Sequence, residues 1–172
     1  VERSRGLGDV YKRQFQKFPQ VTKKKIHEGL FEGSGDAKQV PLTNLHKLFA
    51  NLEKITLGLV TNDSETNGIK HLEQHDLTQY FDMIIGYDSG YGSKPEPGQL
   101  EAFLRKTNLL PQEVLMIGDS TYDLVAANKI NMPCLGVLSG TANKKDLSPY
   151  TPFIIDSIDE LESWLKKTFL NS

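Results

Sequence analysis

The chain has 172 residues, 38% of them hydrophobic and 24% charged, with a formal net charge of −2. That length holds one domain with a real core, and the near-neutral balance removes any global electrostatic case for nucleic acid or an anionic membrane as partner. The single cysteine, Cys134, excludes an internal disulfide and fits a reducing, cytoplasmic setting, while no apolar run approaches the roughly 20 residues of a membrane-spanning helix.

Residues 1–14 show neither helix nor strand periodicity and do not begin with Met. They read as a linker-like leader and are set apart from the fold. Arg3, Arg5, Lys12, Arg13, Lys17 and Lys23 to Lys25 make this end basic, which is read as an untidy terminus rather than a nucleic-acid arm. Residues 15–40 are polar and glycine-containing, with one helix expected over 22–31 and a loop over 33–36. From Pro41 onward the pattern sharpens. Leu42, Leu45, Leu48, Phe49 and Leu52 recur at three- and four-residue steps, which predicts an amphipathic helix with one buried face.

An alternation of elements follows. Apolar, β-rich runs over 55–60, 81–85, 114–117, 134–138 and 153–155 predict strands. The amphipathic stretches 65–75, 97–106, 122–129 and 158–168 predict helices. Strand–helix alternation of this kind implies an α/β fold with a doubly wound parallel sheet, here over residues 41–172.

Three groups of residues fall just after predicted strands. Val60-Thr61-Asn62-Asp63 offers a hydroxyl and backbone N–H groups at a strand-to-helix junction, where a phosphate oxygen is readily held. Ser93-Lys94-Pro95-Glu96-Pro97 sets a lysine on stiff, extended backbone, so that its charge can be aimed with little entropic loss. Gly118-Asp119-Ser120-Thr121-Tyr122-Asp123 places two carboxylates at spacing four behind a buried strand. Two such acids repel unless a cation lies between them, and hard oxygen ligands suit Mg²⁺. Each group has a plainer reading: a helix cap, a surface lysine, and a cap followed by a solvated first-turn acid. In this order, hydroxyl, lysine and paired carboxylates are the parts that Mg²⁺-assisted phosphoryl transfer requires.

These three stretches resemble the second, third and fourth motifs of the haloacid dehalogenase-like hydrolases, within them the phosphoglycolate phosphatase-like members. Residues 86–92 and 136–141 resemble that subgroup as well, and the likeness extends over about residues 41–167. The resemblance implies a Rossmann-like core. It implies that Thr61 and the Asn62 backbone bind a phosphoryl group, that Lys94 holds nucleophile and phosphate together, and that both Thr61 and Lys94 serve catalysis. Asp119 is then a Mg²⁺ ligand, and Asp123 a further metal-site acid acting at one remove or through water. The implied substrate is a small phosphorylated metabolite.

The family's first motif, Asp-x-Asp-x-Thr, supplies the nucleophile and the acid–base partner. No Asp-x-Asp occurs anywhere in the 172 residues. The expectation is therefore a fragment that starts within a small helical cap, with residues 15–40 as the cap's remnant. Its core would lack the first strand, and it would have negligible phosphatase activity. In the family that strand lies between the strands expected at 55–60 and 114–117. The slot can stand open, close by direct pairing, or be filled by the amino-terminal segment or another chain, and an imperfect half-sheet is the expected outcome. Two alternatives share these motifs: a sugar phosphomutase of the same fold, and a non-catalytic phosphate-binding or regulatory module.

Overall fold

Among the described residues, six strands alternate with six helices. The strands are β1 (Ile26–Glu28), β2 (Leu57–Val60), β3 (Met83–Ile85), β4 (Leu115–Gly118), β5 (Cys134–Val137) and β6 (Ile154–Ile155). The helices are α1 (Leu42–Asn51), α2 (Glu65–Gln74), α3 (Gly98–Thr107), α4 (Thr121–Lys129), α5 (Lys144–Leu147) and α6 (Leu161–Leu165). The structure, a computed structural model, describes residues 26–28, 42–52 and 54–170. The expected leader over 1–14, and all of the expected cap remnant over 15–40 except Ile26–Glu28, lie outside the described residues.

The strands form one sheet in the order β3-β2-β1-β4-β5-β6, and every pairing is parallel. A parallel sheet covered on both faces needs strands that are apolar throughout. β2, β4 and β5 are accordingly buried at every residue. Successive side chains part to opposite faces. Leu57, Leu59, Leu115, Ile117, Leu135 and Val137 join Leu45, Leu48 and Phe49 of α1, Leu72 of α2 and Leu161 of α6 in one core. Val60, Met116 and Cys134 meet Leu100 and Phe103 of α3, Leu124 of α4 and Leu147 of α5 on the other side. The doubly wound layout is the one the alternation predicts.

Two expectations at the amino-terminal end are corrected. Ile26–Glu28 are strand, not part of a helix over 22–31. They also occupy the position expected to lack a strand. Ile26 stands level with Leu57 and Leu115, and Glu28 level with Leu59 and Ile117. The physical reason is the demand of the neighbours. β2 and β4 each present a row of backbone donors and acceptors to the same slot, and buried groups of this kind must be paired. The tertiary demand overrides a local sequence, Ile-His-Glu, with little strand character of its own. The far end also differs: residues 158–170 divide into a tight turn over Ile158–Glu160, α6, and a wider turn over Lys166–Leu170.

The strand order reverses between β1 and β4. In an open α/β sheet, the crevice outside the carboxyl ends of the strands at such a reversal is the favoured place for a ligand. Thr61 follows β2 and Asp119 follows β4, both on that rim.

Candidate phosphoryl site

Lys94 lies in the loop between β3 and α3, yet its side chain is driven inward and is only 6% exposed. Its ammonium donates to Asp123 Oδ1 at 2.6 Å and to the Val60 carbonyl at 2.9 Å. Asp123, in the first turn of α4, is 2% exposed, so the pair is buried together. Two charges removed from water are tolerable only when each is met by the other and by further hydrogen bonds. Asp123 Oδ2 supplies these by accepting from the Ser120 N–H at 3.1 Å and the Ser120 hydroxyl at 2.8 Å. Ser120 is the residue that caps α4, with its hydroxyl accepting from the Asp123 N–H. Asp123 is thus not a solvated first-turn acid. It is the counter-ion of Lys94.

The backbone of Lys94 is held just as firmly. The Asn62 side chain accepts from the Lys94 N–H at 2.8 Å and donates to the Lys94 carbonyl at 2.9 Å. One amide therefore satisfies both backbone groups of the lysine, across 32 positions of sequence. Thr61 is pinned in turn. Its N–H donates to the Ile85 carbonyl at 2.9 Å, and its hydroxyl oxygen accepts from the Asp63 N–H at 3.0 Å. The Asp63 carboxyl is held below the ordinary carboxylate range, first by the Asn67 side-chain amide at 2.9 Å and then by the Ser64 N–H at 2.7 Å.

Asp119 is half-buried at the end of β4. Gly140, in the loop after β5, lies directly against its carboxylate: a Cβ built on Gly140 would fall 1.6 Å from Asp119 Oδ2. Gly118 makes a similar allowance for Asp123, whose Cβ would stand 2.3 Å from a Cβ at Gly118. Glycine is needed at 118 for this close approach rather than for a positive φ, since among the described residues the glycines with positive φ are Gly90 and Gly92. Neither Gly140 nor Ser120 was singled out by sequence for the site. Ser120 was legible, because Ser-x-x-Asp at a strand-to-helix junction is a capping pattern. Gly140 carries no local signal beyond being glycine.

Gly140→Ala offers a direct check on that packing. Its φ is ordinary, so the new methyl strains no backbone, and the three atoms nearest to it all belong to Asp119. We expect a loss of about 1–3 kcal/mol, the usual cost of overpacking. Asp119→Gly in the same chain should recover most of it. Thermal unfolding of the two single variants and the double variant would show this as strong coupling. Additive losses would mean that Asp119 is not what the methyl strikes.

Among the described residues no three of His, Cys, Asp or Glu converge to hold a metal ion. The residues present do not form a self-sufficient metal cage. They do fit the thinner arrangement common for Mg²⁺, in which one or two carboxylates act together with phosphate oxygens and water. Asp119, at the mouth of the crevice, suits that part better than Asp123, whose two oxygens already meet Lys94 and Ser120.

A doubly wound parallel sheet that brings a lysine–carboxylate pair and a hydroxyl to its carboxyl rim defines an α/β protein with a candidate ligand site at the reversal of strand order. The family model of the haloacid dehalogenase-like hydrolases matches residues 6–137, and the chain belongs to that family. It is 35% identical over 107 residues to a phosphoglycolate phosphatase of Vibrio vulnificus (strain YJ016), covering 62% of this chain and 47% of that protein. The chain thus spans under half the length of this relative. Two solved structures share the fold. A haloacid dehalogenase-like family hydrolase of Streptococcus pneumoniae has a TM-score of 0.63 at 21% identity, covering 72% of this chain and 57% of that one. A beta-phosphoglucomutase of Clostridium difficile has a TM-score of 0.62 at 22% identity, covering 74% and 56%.

Proposed function

We propose that these residues are the phosphoryl-binding part of a Mg²⁺-dependent phosphatase that acts, as the whole protein, on a small phosphorylated metabolite of the phosphoglycolate type. One observation carries this reading. A lysine is buried, clamped at its backbone by Asn62 and neutralised by Asp123, beside a threonine whose hydroxyl hydrogen has no acceptor among the described residues. A fixed positive charge next to an unspent donor, at the reversal of a parallel sheet, suits an incoming phosphate oxygen.

In this reading Thr61 donates its hydroxyl hydrogen, and Asn62 its backbone N–H, to phosphoryl oxygens. Lys94 keeps one ammonium hydrogen beyond those it gives to Val60 and Asp123, and turns it toward the same anion. Asp119 would hold Mg²⁺, and the bound ion would neutralise charge on the phosphoryl group. The nucleophile is another matter. With no Asp-x-Asp in the 172 residues, the chain has binding groups and no covalent partner for phosphorus. Loss of the first motif accounts for that, and the site acts in the cytoplasm, as the lone buried cysteine suggests. No described helix is long and apolar enough to cross a membrane. The fold likeness to a beta-phosphoglucomutase supports a phosphomutase as the second reading.

Titrating the chain with inorganic phosphate, with and without Mg²⁺, tests the proposal. Phosphate should bind, Mg²⁺ should tighten it, and Asp119→Asn should remove only the Mg²⁺ increment. Hydrolysis of p-nitrophenyl phosphate should stay at background. Turnover that vanishes in Asp119→Asn would reveal a complete catalytic site and overturn the claim that the nucleophile is missing. Absence of any phosphate binding would overturn the site itself.

A further inference from the structure

Gln99, the second residue of α3, is a fully buried amide with 0% exposure. Its Nε2 donates to the Thr61 carbonyl at 2.9 Å, a contact across 38 positions of sequence. Its Oε1 is buried and accepts from no described residue. A buried acceptor left without a donor is costly, and a methionine or leucine of similar shape would avoid that cost. An amide kept at this expense, with one hydrogen bond among the described residues, calls for a reason other than stability.

The reason lies in the peptide that Gln99 holds. The Thr61 carbonyl and the Asn62 N–H belong to one planar trans unit and point in opposite directions. Fixing the carbonyl fixes the N–H. The Thr61 N–H and hydroxyl oxygen are held by Ile85 and Asp63, and Gln99 is the contact on the carbonyl that sets the rotation of this peptide. The Asn62 N–H, directed away from Gln99, donates to no described residue, although the Asn62 side chain is fully used on Lys94. We propose that Gln99 is a positioning residue that aims the Asn62 N–H at an oxyanion. This inference rests on the phosphoryl-site reading above and adds to it. It makes α3, which follows the lysine loop, the strut that presets a donor on the β2 loop. Local sequence offers no sign of it, because the partner carbonyl is remote in the chain.

The full chain, labelled with ¹⁵N and titrated with inorganic phosphate, provides the test. In the wild type the Asn62 amide resonance should move and saturate. Gln99→Met keeps the shape and removes the donor. It should weaken phosphate by about tenfold, the size of one directed hydrogen bond, while the melting temperature stays level or rises. Gln99→Glu gives a second reading within one variant. Burial raises the pKa of the new carboxyl. Below that pKa the neutral acid donates to the Thr61 carbonyl and affinity should match wild type. Above it the carboxylate faces the carbonyl, and the ratio of variant to wild-type affinity should fall. A Gln99→Met chain that melts lower but binds phosphate as well as wild type would make Gln99 a plain strut and end the proposal. A flat affinity ratio across pH in Gln99→Glu would do the same. A wild type that binds no phosphate would instead remove the site on which the inference stands.

Discussion

Lys94→Met is expected to destabilise the fold by about 3–5 kcal/mol, the loss typical when one partner of a buried ion pair is removed. The cause is what remains behind. Asp123, 2% exposed, keeps its bonds from Ser120 but loses the ammonium 2.6 Å away, and the Val60 carbonyl loses its donor. A domain of this kind holds a net stability of only about 5–15 kcal/mol, so the change is a large share of the total. Adding Asp123→Asn should restore most of the loss. The amide removes the stranded charge and still offers an oxygen to the N–H of Ser120, the residue whose hydroxyl caps α4. Phosphate binding should not return with stability, because the positive charge is gone from the rim. Urea unfolding of the two single variants and the double variant, beside a phosphate titration of each, separates the two roles. A single-variant loss under about 1 kcal/mol would mean that the pair is solvated and worth no more than a surface bridge.

The residues of this pair also show which parts of the molecule a sequence exposes. Strands β2, β4 and β5 are legible because a parallel strand buried on both faces must be an unbroken apolar run, and their limits fall within two residues of the expected ones. β1 is not legible, since Ile-His-Glu takes its conformation from the unmet backbone groups of β2 and β4 rather than from its own side chains. At the site, residue types were visible and partners were not. Two prolines beside Lys94 suggest an aimed lysine, but the aim is set by Asn62 and Asp123, which lie 32 and 29 positions away. Two acids at spacing four suggest a shared cation. The fold supplies a lysine to one of them and sets the other beside Gly140, and neither contact has a local signal. Long-range pairing of charge and hydrogen bonds carries no local periodicity, so it becomes readable only once the sheet order is known.

Asn62→Ala is the second substitution with a large expected effect, and it acts on position as well as stability. It strips both partners from the Lys94 backbone, at 2.8 Å and 2.9 Å, in one step. The site is half-buried, so water can meet these groups in part, and a loss of about 2 kcal/mol is expected. The larger consequence concerns the lysine. With its backbone released, Lys94 keeps the ion pair to Asp123 but loses the constraint that ties the β3–α3 loop to the end of β2. Phosphate affinity should then fall further than stability does. Asn62→Asp divides the clamp in two. The carboxylate still accepts from the Lys94 N–H, whereas its second oxygen confronts the Lys94 carbonyl in place of a donor. Its stability should lie near or below that of Asn62→Ala, because repulsion replaces a bond that the alanine merely deletes. Thermal unfolding and phosphate titration of both variants provide the check. If Asn62→Asp matched wild type in both, the N–H contact alone would suffice to hold Lys94, and the two-point clamp would be an incidental feature of the loop.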